Sequence, residues 1–151
     1  MNSRNILLYI SLLALQITEI YAQNLTVYRS NVSVQQTVQS LIKVIQTKGY
    51  KYFETVEHDK IARDRNVKIS PTQVIIFEDV ELSSQLIVCE QTSALDLPMK
   101  VMVWEEHGDV YIGYLDPILM RRKYLIDGCD ETLKNMSSMM SRVVNETLRG
   151  S

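Results

Sequence analysis

Two segments of the chain repeat apolar residues at helical spacing. Before the first, Ser33 is followed three residues later by Gln36, a pairing that caps the exposed amides of a helix start. Gly49 ends this segment, because glycine readily takes a left-handed conformation after a last turn. The second segment begins near Asp130. The apolar stripes predict two amphipathic helices, and their members are Val34, Val38, Leu41, Ile42 and Ile45, then Leu133, Met136, Met140, Val143, Val144 and Leu148.

Five shorter segments show the alternation or the β-branched content of strands. We predict these strands over residues 25–29, 50–56, 73–77, 99–105 and 110–114. The third is apolar almost throughout, which is typical of a strand buried on both faces. A hairpin whose loop contains His107 and Gly108 joins the last two. Residues 58–66 predict a short helix or an irregular connection, and residues 82–88 a short helix.

The predicted order is therefore strand, helix, four strands, helix. No βαβ alternation follows the first unit, so this order favours an α+β fold in which one antiparallel sheet of about five strands packs two main helices on one face. The pattern contains no internal repeat and no linker. We expect a single domain.

An apolar run near the start has a separate meaning. It extends from Ile6 to Leu15, follows the positive charge of Arg4 and is followed by the small residue Ala22. These are the parts of a secretory signal peptide, and the run is shorter than the roughly 20 apolar residues that span a bilayer. We predict cleavage after Ala22, which gives a secreted or periplasmic domain of residues 23–151 without stable membrane insertion. The alternative is that this run forms a buried helix or a membrane anchor that is never cleaved.

The charge balance of the chain limits the classes of partner that it can bind. The 151 residues include 16 Lys or Arg and 18 Asp or Glu, a net charge of -2. A near-neutral chain has no basic field to hold a phosphate backbone, so nucleic-acid binding is not expected. The sequence also contains no glycine-rich phosphate loop, nucleophile elbow or metal-ligand spacing, and we expect neither a metal nor another cofactor.

Three stretches of the chain carry a family resemblance. They read EHDKIARDRNVKISPTQVIIFEDV, ALDLPMKVMVWEE and VYIGYLDP. Together they resemble domain of unknown function 302, closely over about residues 50–120. The resemblance implies a fold like that of the TATA-binding protein, with one curved antiparallel sheet and two helices. The chain departs from the family where Glu78, Asp79 and Val80 replace a Gly-Asn-Pro turn, and near Tyr124, where the family often has a histidine.

Four residues are candidates for a ligand-binding site. His58 next to Asp59 has the side chain of a proton carrier, but a residue at this place more often caps a turn or helix. Asp96 precedes Leu97 and Pro98, where a carboxylate usually holds loop amides. It is also a candidate pocket carboxylate facing the remaining two candidates, Tyr114 and Asp116. Paired carboxylates of this kind serve acid–base chemistry or cation binding.

The two cysteines, Cys89 and Cys129, have no metal or redox spacing. Export would place them in an oxidising compartment, where a disulfide between them would tie the last helix to the sheet. The sequence leaves open whether their Cα atoms come within about 7 Å.

These observations favour a non-enzymatic module that binds a small ligand or a protein. The binding place would be a groove between sheet and helices or the concave sheet face, and a homodimer is among the expected partners. The alternative is a small hydrolase-like or other acid–base enzyme that uses His58 with Asp96, Tyr114 or Asp116. A protein-interaction domain, marked by an exposed apolar patch, is a third interpretation.

Overall fold

A computed structural model describes residues 25–150, which form one sheet and the helices packed on it. The proposed signal peptide, residues 1–22, lies outside the described residues. The strands are β1 (Leu25–Ser30), β2 (Lys51–Glu57), β3 (Thr72–Glu78), β4 (Met99–Glu106) and β5 (Asp109–Leu115). The helices are α1 (Val34–Thr47), α2 (His58–Arg63), α3 (Val80–Cys89), α4 (Met120–Lys123) and α5 (Asp130–Arg149). Short 3₁₀ turns occupy Gln91–Asp96 and Pro117–Leu119.

The sheet has the order β1-β5-β4-β3-β2, and every neighbouring pair is antiparallel. This is the predicted α+β fold. The hairpin between β4 and β5 turns through two residues only, since His107 and Gly108 both have positive φ, as a tight primed turn requires. At the other edge of the sheet, Phe53 forms a bulge in β2. It falls between Tyr52 and Glu54, which pair with consecutive residues of β3.

The start and the end of α1 follow the predicted pattern. Ser33 and Gln36 form a reciprocal capping box, and Gly49 follows the last turn with φ 77°. The buried stripe of α1 packs on the sheet, and α5 packs on α1 and β5. The predicted methionines of α5 are buried in this core. None of the helices in the described part of the chain is long and apolar enough to cross a membrane.

One face of the sheet packs on these helices and the other does not. On the packed face Ile75, Phe77, Val101, Val103 and Ile112 are fully buried. The residues between them on the same strands point to the opposite face, because side chains alternate along a strand. The prediction that β3 is buried on both faces was therefore wrong. Its residues Val74 and Ile76 are only half-buried, because the helices of the described part of the chain pack on the other side of the sheet.

Candidate functional site

The structure separates His58 from the carboxylates with which the sequence grouped it. His58 is exposed at the start of α2, just beyond the end of β2. Asp96 and Asp116 lie at the opposite end of the sheet, before β4 begins and after β5 ends. A strand of seven residues spans about 20 Å. Within residues 25–150 no hydrogen bond or ion pair joins His58 to either carboxylate, so the proposed acid–base set is not assembled.

His58 does not cap its helix either. Glu57 occupies the cap position of α2, and no side chain makes a cap hydrogen bond there. The neighbouring Asp59 accepts a hydrogen bond from the Thr72 backbone N–H at 3.4 Å and pairs with Arg63 at 3.3 Å. Asp59 thus ties α2 to the start of β3.

Asp96 binds a lysine and not the loop amides expected from its sequence. Its two carboxylate oxygens accept hydrogen bonds from Lys123 Nζ at 2.7 and 2.8 Å. This contact with Asp96, reinforced by Tyr124, raises the pKa of Lys123 above its ordinary value. The bridge joins the loop before β4 to the basic cluster of residues 121–123. Within the described residues, no hydrogen bond or ion pair joins Asp96 to Tyr114 or Asp116.

Tyr114 and Asp116 do lie near each other, at the junction of β5 and α5. Asp116 Oδ1 accepts hydrogen bonds from the Ile118 backbone N–H at 3.0 Å and from the Ser137 hydroxyl. The first bond caps the 3₁₀ turn after β5, and the second reaches α5. The carboxylate therefore holds the long helix against the end of the sheet.

The Tyr114 phenol is buried in the same region. Burial raises the pKa of Tyr114, and the nearby Tyr28 and the charge of Asp116 act in the same direction. Hydroxyl groups of Ser141 and Thr26 oppose this by hydrogen bonding. With the phenol neutral and 4% of the residue exposed, Tyr114 is a core residue with a polar tip.

Cys89 and Cys129 lie at disulfide distance. Their Cα atoms are 6.4 Å apart and their sulfur atoms are bonded. Because the bond joins the end of α3 to the residue before α5, it ties the last helix to its neighbour across 40 positions of sequence. This is the pairing that the sequence left open.

A polar cleft of about 550 Å³ lies between the start of α1 and the β4–β5 hairpin. Most of its polar groups bond to one another. Ser33 bonds to Gln36, and Arg29 pairs with Asp109 at the mouth. The cleft lies between the sheet and a helix, where the sequence placed one of the candidate binding grooves.

The opposite face of the sheet presents apolar side chains that none of the helices within residues 25–150 covers. We call it the open face and define it by the outward residues of the five strands. The apolar members are Leu25, Val27, Val56, Val74, Ile76, Met102, Trp104, Tyr111 and Leu115. Leu115 is 61% exposed, and Leu25 and Val27 are each 41% exposed. Five strands about 4.8 Å apart and about 20 Å long give this face an extent on the order of 480 Å².

An aromatic pair dominates the open face. The rings of Trp104 and Tyr111, opposite each other on β4 and β5, stack with centroids 5.5 Å apart and planes 29° apart. Trp104 also extends over Gly113, where a Cβ would lie 3.2 Å from Trp104 Cζ3 and 3.0 Å from the Thr26 carbonyl oxygen. The missing side chain lets the indole lie flat on the sheet, so the surface is level and not pocketed.

Sequence reasoning missed Trp104, Tyr111 and Gly113. The signal was present, because alternation along residues 99–106 and 109–115 places all three on the side opposite Val103 and Ile112. Within residues 25–150 no group of three or more His, Cys, Asp or Glu side chains is arranged to hold a metal ion.

The comparisons with known proteins agree with this fold. The family model described as "Domain of unknown function DUF302" matches residues 26–143. In a crystal structure of an uncharacterized conserved protein of that family from Bacillus stearothermophilus, the fold superimposes with a TM-score of 0.70. The match has 14% identity and covers 85% of this chain and 98% of that one. At this identity it shows a shared fold.

Curated relatives are also similar over part of their length. A protein named fluoride-specific ion channel FluC 1 from Brucella suis is 27% identical over 101 residues, which are 66% of this chain and 40% of that protein. The FluC 2 protein of Brucella melitensis is 27% identical over 101 residues, 37% of its length. The chain thus spans about two fifths of these relatives.

Proposed function

The chain belongs to the Domain of unknown function DUF302 family, and from this premise we propose that it is a non-enzymatic binding module whose open face is the binding surface. The ion conduction named for the longer relatives is not part of this proposal. The observation that supports it most is the stacked pair of Trp104 and Tyr111 on a sheet face that no helix of the described residues covers. Large aromatic side chains on an accessible surface are the residues that most often anchor a partner.

The extent of the open face supports the same proposal. Apolar side chains that lie next to one another on an accessible surface often mark interaction sites. Charged residues lie at both ends of the strands, including Arg29, Asp109 and Glu106 at one end and Lys51 and Lys100 at the other. An apolar centre with a charged rim is the usual layout of a protein interface.

We further propose that the module is exported. The N-terminal pattern described above supports this, and so does the bonded pair Cys89 and Cys129, because disulfides persist in oxidising compartments. The mass of the protein recovered from the periplasm or medium tests the proposal. A chain beginning at Gln23 supports it, and a chain retained in the cytoplasm with its first residue intact contradicts it.

Binding of the apolar dye 8-anilinonaphthalene-1-sulfonate tests the binding surface. Trp104 is the only tryptophan of the chain, so energy transfer from it reports dye bound at the open face. At protein concentrations low enough for single copies, we expect energy transfer from Trp104 to the dye in the wild type. We expect this transfer to be lost in Ile76→Lys, because the substitution places a charge on the open face.

The matched control is Val88→Lys, which introduces the same charge at a position that is 89% exposed on α3. It should leave energy transfer unchanged. Both variants should keep the wild-type circular dichroism, since neither side chain lies in the core. Equal transfer in Ile76→Lys and in the wild type would contradict the proposal.

A further inference from the structure

We propose that the partner of the open face is a second copy of this chain, packed sheet against sheet about a two-fold axis that lies in the interface. This inference rests on the proposed function, because it names the occupant of the same surface. Two further features of the open face support this inference, namely its flatness and its distribution of charge.

The flatness of the open face suits another sheet. Because Gly113 has no side chain, the Trp104 indole lies on the strands and does not rise from them. Two sheets that pack face to face are about 10 Å apart and keep their strands within about 30° of each other. The half-buried Val74, Ile76 and Met102 occupy the middle of the face, where such a contact would bury them completely.

The area is sufficient for such a contact. Each copy contributes a face on the order of 480 Å², from the strand spacing and length. Two copies together therefore cover on the order of 1,000 Å², the lower limit for a specific interface.

The two ends of the open face differ in net charge. The hairpin end has Glu106 and Asp109 against Arg29, one more acidic than basic residue. Across the sheet, the other end is neutral, because the basic pair Lys51 and Lys100 is balanced by the acidic pair Glu54 and Glu78. On the central strand β4, however, Lys100 near one end and Glu106 at the other form a charge dipole directed along the strand.

A two-fold axis in the plane of the interface and across the strands makes this dipole self-complementary. It reverses the strand direction of the second copy and places the Lys100 end of its β4 over the Glu106 end of β4 in the first. Lys100 of each copy then faces Glu106 of the other along the paired β4 strands. A parallel arrangement would instead place like charges together, at a considerable cost in affinity.

Charge exchange on β4 tests the arrangement. Lys100 and Glu106 are six residues apart on one strand, about 20 Å, which exceeds two screening lengths at physiological salt. They do not interact within one copy. Any rescue of one charge reversal by the other must therefore occur between copies.

The experiment is sedimentation equilibrium of the exported protein over a wide concentration range. We expect the wild type to be a dimer. In Lys100→Glu and in Glu106→Lys the dissociation constant of the dimer should rise at least about tenfold, and in the double variant it should return to within about threefold of the wild-type value. Lys134→Glu, an exposed position on α5, makes the same charge change off the face and should leave the dimer intact. Melting temperatures confirm that each variant is folded.

Three results would overturn the inference. They are a wild-type monomer at every concentration, a dimer that neither single variant weakens, and single variants that the double exchange does not rescue. Dye binding at the open face together with a wild-type monomer would leave the proposed function standing and remove only the self-association. Absence of dye binding in single copies would remove the proposed function itself.

Discussion

The indole of Trp104 occupies the space above Gly113 that a side chain would otherwise fill. A Cβ on Gly113 would lie 3.2 Å from Trp104 Cζ3 and 3.0 Å from the Thr26 carbonyl oxygen. The second distance involves the backbone of the neighbouring strand, which cannot move without disturbing the pairing of β1 with β5. The level aromatic surface of the open face therefore depends on glycine at this position.

Gly113→Ala should destabilise the protein by about 1–3 kcal/mol, the usual cost of adding a methyl group where no space exists. Urea denaturation measures it. Gly150→Ala is the control, because a Cβ there meets only the Glu146 and Thr147 carbonyl oxygens at 3.6 and 3.9 Å, ordinary contact distances. Equal stability of Gly113→Ala and the wild type would show that the indole and the strand adjust without cost.

Replacing both cysteines by serine should lower the free energy of unfolding by about 4 kcal/mol, the loop-closure contribution expected for a separation of 40 residues. Urea denaturation of the double Cys89→Ser, Cys129→Ser variant gives the value, and wild type treated with reductant should approach it. Mass spectrometry of alkylated, unreduced protein provides the independent check. Two alkylated thiols in the exported protein would contradict the disulfide.

The bond between Ser137 and Asp116 should contribute measurably to stability. Because a hydroxyl donates to a charged carboxylate here, we expect a coupling of about 1–2 kcal/mol in a double-mutant cycle of Ser137→Ala and Asp116→Ala. Ser138→Ala, exposed on the next position of α5, should change stability little. Strictly additive effects of the two substitutions would mean that α5 is held at this end by packing alone.

Stability should fall in alkaline solution because of Tyr114. Its pKa in the folded protein is raised above the ordinary value of 10.0, so the unfolded chain loses the phenolic proton first. The contribution of the neutral phenol is complete below about pH 10 and is lost as the pH rises through the raised pKa. Tyr114→Phe should reduce this alkaline loss, whereas Tyr111→Phe on the open face should retain it. An identical pH dependence in Tyr114→Phe and wild type would contradict the assignment.

The helices and the hairpin could be predicted from sequence because their signals are local. Ser33 with Gln36 marks the start of α1, and the two-residue turn at His107 and Gly108 fixes the β4–β5 register. The methionines of α5 recur on the stripe that becomes buried.

The candidate site could not be predicted in the same way. His58 and Asp96 fall at opposite ends of the sheet only because β2, β3 and β4 are mutually antiparallel, and that pairing is a long-range property. The open face was missed for a related reason. Ile75 and Ile76 are neighbours of equal hydropathy, and which of them is covered depends on where α1 packs.

The most direct test of the open face is hydroxyl-radical footprinting of the exported protein in its native compartment and again after purification and dilution. We predict that Met102, Trp104 and Tyr111 are protected in the compartment and oxidised in dilute solution. Leu95 and Leu125, which are 81% and 85% exposed away from this face, should be oxidised to the same extent in both. Equal oxidation of Met102, Trp104 and Tyr111 in the two conditions would show that nothing binds the open face.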